Sequence, residues 1–294
     1  MQNGIERVSK FMMPVLVVLS VIIAIYSVTR PGALEGVKYF LVPNPANFSW
    51  MTVVAAMGQM FYSLSIAMGI LITFGSYMKK ETSLEDSTRN VEVFDTAIAI
   101  MAGLMIIPAV FSFSGGDPDT LQAGPALMFI TIPKVFENMG FGTVVGILFF
   151  LLVLFAAVTS SIALTESAVS TFEDELGWSR RRATVLVGVI MIALGSLSSL
   201  GYGPLAGIKI IGMQFLDFFD FLTNSVMMPI AAMLTSLFVS RIVGMKRMEE
   251  EIMHGESTFR RKKIFIVMIK YLCPVFALII LISSVANAFG WIAM

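Results

Sequence analysis

The chain has 294 residues, 57% of them hydrophobic and 14% charged, and its 20 basic side chains balance 20 acidic ones. Soluble domains carry about 45–50% apolar residues, so this composition, with a mean hydropathy of +0.85, excludes a soluble globule and places the chain in a lipid bilayer. Zero net charge gives no electrostatic footprint for nucleic acid, and a single cysteine, Cys273, excludes an internal disulfide.

Seven uncharged runs are long enough to cross a hydrocarbon layer of roughly 30 Å. The first, Phe11–Val28, follows a short basic N-terminus without a small-residue cleavage site, and is expected to insert as a span rather than act as a removable signal. The second, Trp50–Tyr77, has 28 residues and holds Gly58, Gln59, Ser63, Ser65, Gly69 and Gly75. That density of glycine and polar residues suits a helix interrupted at bilayer depth, although small residues also serve close helix packing.

Asp95 heads the third run, Thr96–Gly116. A carboxylate at the bilayer centre costs roughly 2.5–3.5 kcal/mol on insertion scales, so such a group is expected to partner an ion, a proton or a substrate. A helix starting near Thr88 would instead put Asp95 closer to one interface. Residues 117–137 then form a segment too short to span, expected as a re-entrant or capping loop outside the cell.

The fourth run, Asn138–Thr165, again has 28 residues and carries Thr159 and Ser160, with the Ala156 carbonyl one turn earlier. Oxygen atoms of this kind suit a small hard cation such as Na+, while hydroxyls in membrane helices also bond their own i−4 carbonyls. The remaining runs are Ala183–Ile208, Phe221–Ser240 and Tyr271–Met294. Asp174, within Glu173–Glu175, and Asp220 stand at run ends, as gate carboxylates or as ordinary interfacial charges. Residues 241–270, with Glu249, Glu250, Glu251 and the lone His254, read as a solvated helical connection.

Basic residues are retained on the cytoplasmic side. Sixteen of the 20 fall in the N-terminus and the second-to-third, fourth-to-fifth and sixth-to-seventh connections, against Arg30, Lys38, Lys134 and Lys209 on the other face. The N-terminus is therefore expected inside the plasma membrane and the C-terminus outside. Enzymatic chemistry finds no support: there is one histidine, no HExxH, no cysteine metal spacing and no Ser-His pairing in the spans. Gly115–Asp117 resembles an intramembrane aspartyl protease loop, but its expected place outside the bilayer argues against proteolysis. A channel is disfavoured too, because no ring of charge or repeated carbonyls forms without oligomerisation.

From Gly4 to about Trp291 the chain resembles the neurotransmitter:sodium symporters in their bacterial amino-acid-transporting branch. Gly4, Ile5, Glu6, Arg7 and Pro14 look like the start of that family's fifth helix. The stretch from Gly58 through Gln59, Met60, Phe61, Tyr62, Ser63 and Leu64 to Ser65 looks like its broken sixth helix. Asp95–Pro108 resembles the seventh, Ala156–Ala163 the eighth and Leu216–Phe221 the start of the tenth. The resemblance implies an all-α polytopic membrane protein, a single transmembrane domain over 1–294, whose seven transmembrane helices correspond to helices five to eleven of the leucine-transporter-type inverted-repeat fold.

The resemblance implies one sodium site that Ala156, Thr159 and Ser160 share with the family's first helix, and a second to which Ser63 contributes, with Asp95 at the position of a carboxamide ligand. Tyr62, Ser65, Met68, Ser160 and Leu164 would line the substrate pocket, with Tyr62 as the aromatic lid and Asp220 and Asp174 as outer and inner gate acids. Met68 replaces a common aromatic residue and Ala67 a glycine of the unwound segment. Gln59 and Ala99 fall at the chloride-site region; with Ala99 where chloride-dependent members carry serine, and Asp95 one turn away to supply negative charge, chloride independence is expected. The family's first four spans have no counterpart here. The expected function is sodium-coupled symport of an amino acid or small amine, this chain carrying the C-terminal part and working with a complementary N-terminal half; the alternative is a truncated, non-transporting membrane fragment or accessory protein.

Overall fold

A computed structural model describes residues 2–115, 124–125, 127–137, 140–255 and 258–291, and among them every extended regular element is helical. In chain order these are α1 (Gln2–Val28), α2 (Ala33–Leu41), α3 (Trp50–Ser63), α4 (Ile70–Ser76), α5 (Leu84–Ser114) and α6 (Ile132–Glu137). They continue with α7 (Gly142–Leu176), α8 (Arg180–Leu200), α9 (Phe215–Val243), α10 (Met245–Ile252) and α11 (Lys262–Ala288). Within α9 the backbone is π-helical over Phe221–Met227 and Val239–Val243, and within α11 over Met268–Leu272.

Six helices among the described residues are long and apolar enough to cross a membrane: Ser9–Val28 of α1, then α5, α7, α8, α9 and α11. The second uncharged run is absent from that set because it is split into α3 and α4, of 14 and 7 residues. At about 1.5 Å per residue neither half reaches the roughly 30 Å of a hydrocarbon layer. Among the described residues, then, six of the expected runs hold such a helix and the second is divided between α3 and α4. Helix α7 runs 35 residues, well past Thr165, and at about 1.5 Å per residue is some 50 Å long, more than the roughly 30 Å of a hydrocarbon layer. Helix α5 likewise begins at Leu84, so that Asp95 lies three turns inside it.

The chain divides into two compact units, one from residues up to Phe48 and from Glu92–Ile162, the other from Ser49–Val91 and from Ala163 onward. The core of the first joins Leu16, Leu19 and Ile23 of α1, Met105, Ala109 and Val110 of α5, and Val145 and Phe149 of α7. Ile132, Val135 and Phe136 of α6 are buried in the same core, so the described end of the expected capping loop is packed; residues 116–123 and 126 of that region lie outside the described residues. Helix α2 rests on α5 at Gly36, where an added Cβ would meet the Pro108 Cα at 2.8 Å and the Phe111 Cβ at 3.0 Å. Only glycine allows that approach.

In the second unit α9 lies along α11, and α3 joins them through Phe61, Met228 and Ile280, all buried. The end of α7 packs on α8 through Val169, Ala183 and Val187. Between them the chain turns at Gly177 (φ 61°), with Trp178 stacked on Phe172 at 5.4 Å and the Arg182 guanidinium 4.3 Å from the Trp178 ring centre. The 241–270 connection is shorter than its charge pattern suggests, since α9 continues to Val243 and α11 starts at Lys262. Lys262 pairs with Glu249 of α10, and the Arg260 backbone N–H donates to Glu85 at 3.1 Å.

Candidate functional site

The interruption between α3 and α4 is a local backbone event. As α3 ends at Ser63, the Leu64 N–H bonds the Met60 carbonyl at 3.0 Å, the Ser65 N–H that of Tyr62 at 3.1 Å and the Ile66 N–H that of Phe61 at 3.0 Å. Ser65 (φ 54°), Ala67 (φ 63°) and Gly69 (φ 78°) then occupy left-handed conformations. For residues with a Cβ this geometry costs roughly 1–2 kcal/mol each, so Ser65 and Ala67 are held there by their surroundings, a pattern that concentrates at functional sites. The helix is interrupted with alanine, not glycine, at position 67. At Gly69 a Cβ would stand 2.8 Å from the Ser167 Oγ, so the α4 start and α7 approach closely within the second unit.

The expected site residues fall in both units. Asp95, Ala99, Ala156, Thr159 and Ser160 belong to the first; Gln59, Tyr62, Ser63, Ser65, Met68, Leu164, Asp174 and Asp220 belong to the second. On α7 the Thr159 hydroxyl donates to the Phe155 carbonyl at 3.1 Å and the Ala156 carbonyl at 2.9 Å. The back-bonding alternative is therefore realised, and it is compatible with ligation: the proton is used within the helix while the hydroxyl oxygen keeps lone pairs for a cation. Thr159, Ala156 and Asp95 are half-buried, whereas Ser160 and Ser63 are exposed.

Around Tyr62, which is 53% exposed, the second unit encloses a cavity of about 330 Å³ lined by Gln59, Phe61, Tyr62, Asp220, Asn224 and Ser284, among others. Asn224 donates its amide N–H to Asp220 Oδ1 at 2.5 Å. The expected outer gate acid and the expected lid thus share one cavity.

A second polar centre went unnoticed in the sequence. Glu166 of α7 is 5% exposed. Its Oε1 accepts from the Tyr77 hydroxyl at 2.6 Å, just beyond α4, and its Oε2 accepts from the Arg180 guanidinium at the start of α8. Arg180 also donates to Glu173 at 3.0 Å, and the Thr73 hydroxyl lies 3.4 Å from Ser167 Oγ and 3.3 Å from Ser170 Oγ. Glu166 therefore ties the second half of the broken helix to α7 and α8. Asp174, expected as the inner gate acid, is exposed, and Arg180 engages its neighbour Glu173 instead. The available signal was a glutamate one place beyond an uncharged run, which charge counting reads as an interface marker.

The sequence matches the model of the Sodium:neurotransmitter symporter family over residues 1–290. It is 35% identical over 256 residues to an uncharacterized sodium-dependent transporter, YhdH, of Bacillus subtilis, covering 87% of this chain and 56% of that protein. A second uncharacterized sodium-dependent transporter, from Haemophilus influenzae, is 33% identical over 283 residues, 96% of this chain and 61% of the relative. The chain spans between half and two thirds of the length of the curated relatives it matches. Among solved structures, that of MhsT in complex with L-phenylalanine superposes with a TM-score of 0.82 at 36% identity, covering 95% of this chain and 63% of the other.

Proposed function

The chain belongs to the sodium:neurotransmitter symporter family, and from that membership we propose that it serves sodium-coupled symport of an amino acid across the plasma membrane by alternating access, carrying the C-terminal part of the transporter. The observation that carries this reading is the break at Leu64–Gly69, where two residues with a Cβ are kept left-handed between α3 and α4. Such an interruption frees backbone groups at bilayer depth, where a desolvated ion and a zwitterionic substrate both need them.

In this reading Ala156, Thr159 and Ser160 supply oxygen ligands to a sodium ion, the broken helix offers the Ser63 hydroxyl as a ligand, and Asp95 is a carboxylate ligand whose charge a sodium ion offsets. Ser65, Met68 and Leu164 contact the substrate beneath Tyr62, Asp220 and Asp174 guard the two mouths, and Asp95, one turn from Ala99, supplies the negative charge that makes chloride unnecessary. Each sodium entering moves one charge down the membrane potential, about 2.3 kcal/mol per 100 mV. Coupling follows because one broken helix presents both Ser63 to the ion and Ser65 to the substrate. An amino acid as substrate is supported by the phenylalanine in the structure of MhsT. The N-terminus lies inside and the C-terminus outside, as the basic residues are distributed, and a complementary N-terminal part supplies the remaining spans.

The test is uptake of radiolabelled amino acids, under an inward sodium gradient, into liposomes holding the chain alone or with a segment bearing the first four spans of a relative. Sodium-stimulated uptake in either preparation supports the reading. Absence of uptake in both, with folded protein verified, contradicts it and leaves a non-transporting membrane protein.

A further inference from the structure

The bond between Asn224 and Asp220 carries information beyond the assignment of Asp220 to a gate, on which this inference rests. Asp220 closes the first regular turns of α9, and Asn224 follows four residues later inside the π-helical stretch Phe221–Met227. Single π-helical turns within α-helices concentrate at functional sites. Pro229, buried at the start of the next regular stretch, has no N–H to donate, so the backbone register is reset beneath the cavity. Both side chains line the cavity of about 330 Å³, together with Tyr62, Ser225 and Ser284.

We infer that Asn224 is a positioning residue for Asp220, aiming its carboxylate into this cavity while leaving the negative charge intact. The choice of an amide carries the point. A lysine or arginine at 224 would hold the carboxylate equally well but cancel its charge, an aspartate would repel it, and an aliphatic residue would let it swing to water. An amide N–H donated to one carboxylate oxygen, at 2.5 Å, fixes direction through a charge-assisted bond. The second oxygen is left with its acceptor capacity for an arriving cationic group.

The experiment reads the field in the cavity directly and requires no transport. In a Cys273→Ser background, Ser284→Cys places one thiol on the cavity wall, and its labelling rates by a cationic and an anionic methanethiosulfonate reagent are compared in the purified chain. A carboxylate aimed into the cavity favours the cationic reagent by roughly five- to thirtyfold at low salt, the range expected for one charge within a few ångströms to 10 Å in a partly aqueous site. Asp220→Asn should bring the ratio near unity. Asn224→Leu should lower it at least threefold with Asp220 still present, and Asn224→Gln should retain most of it; Asn224→Ala replaces the leucine variant if that one does not fold. The double variant Asp220→Asn, Asn224→Leu should match Asp220→Asn alone. An unchanged ratio in both Asn224→Leu and Asn224→Ala overturns the inference, as does an unchanged ratio in Asp220→Asn. Failure of the gate reading would show separately, as normal sodium-driven uptake by Asp220→Asn.

Discussion

Arg180→Ala is the perturbation whose consequence follows most closely from the geometry. The Glu166 side chain is 6% exposed and that of Arg180 26%, and the guanidinium also reaches Glu173 at 3.0 Å. Removing one member of a buried pair strands the other charge, at a cost of roughly 3–5 kcal/mol. Partial exposure of Arg180 lowers that figure, and the Tyr77 hydroxyl remains as a donor, so we expect a loss of about 2–4 kcal/mol. Glu166→Gln should cost less, about 1–2 kcal/mol, because a neutral carbonyl still accepts from Tyr77 and Arg180 keeps Glu173. The double variant should be more stable than Arg180→Ala alone, since no uncompensated charge is left. Equilibrium denaturation of the purified protein in detergent measures all three. Arg180→Ala within about 0.5 kcal/mol of the parent, or strict additivity in the double variant, would refute the reasoning, because surface changes without such a partner fall in that range.

Two further substitutions probe the strained and the crowded backbone. Ala67→Gly relieves a left-handed alanine, worth roughly 1–2 kcal/mol, against about 0.5–1 kcal/mol from the freer unfolded chain, so a net gain of about 0.5–1 kcal/mol is expected as a raised midpoint of thermal unfolding. A lowered midpoint would mean that residue 67 is not held at positive φ. Gly36→Ala drives a Cβ to 2.8 Å from the Pro108 Cα, backbone that cannot yield as a flexible side chain would, and should cost about 1–3 kcal/mol. Unchanged stability there would contradict the packing of α2 on α5.

Hydropathy and charge made the membrane spans legible because burial in lipid is a property of whole runs, and the glycine and serine content of Trp50–Tyr77 marked the one run that breaks. The ends of helices were less legible: α7 continues past Thr165 through Glu166 and Asp174, since charged residues stop a hydrophobic run without stopping a helix. Glu166 escaped notice for the same reason. Its burial comes from Tyr77 and Arg180, 89 and 14 positions away, and pairing at such separations leaves no periodic trace. Asn224 was equally hidden, because an asparagine four residues after an aspartate is unremarkable until the backbone between them is seen to be π-helical. Oxygen donors on three runs, Ser63, Asp95, Thr159 and Ser160 with the Ala156 carbonyl, suggest a cation site, and the family resemblance implies how they divide between two sodium ions.

Sodium held by α7 is the claim on which the functional account turns. Binding of radiolabelled Na+ to the purified chain, compared with the Thr159→Ala, Ser160→Ala double variant under matched conditions, tests it most directly. Saturable binding by the parent chain, alone or with the segment bearing the first four spans, weakened at least tenfold in the variant, is the predicted result; equal binding by parent and variant, or none by a folded parent chain in either preparation, would contradict it.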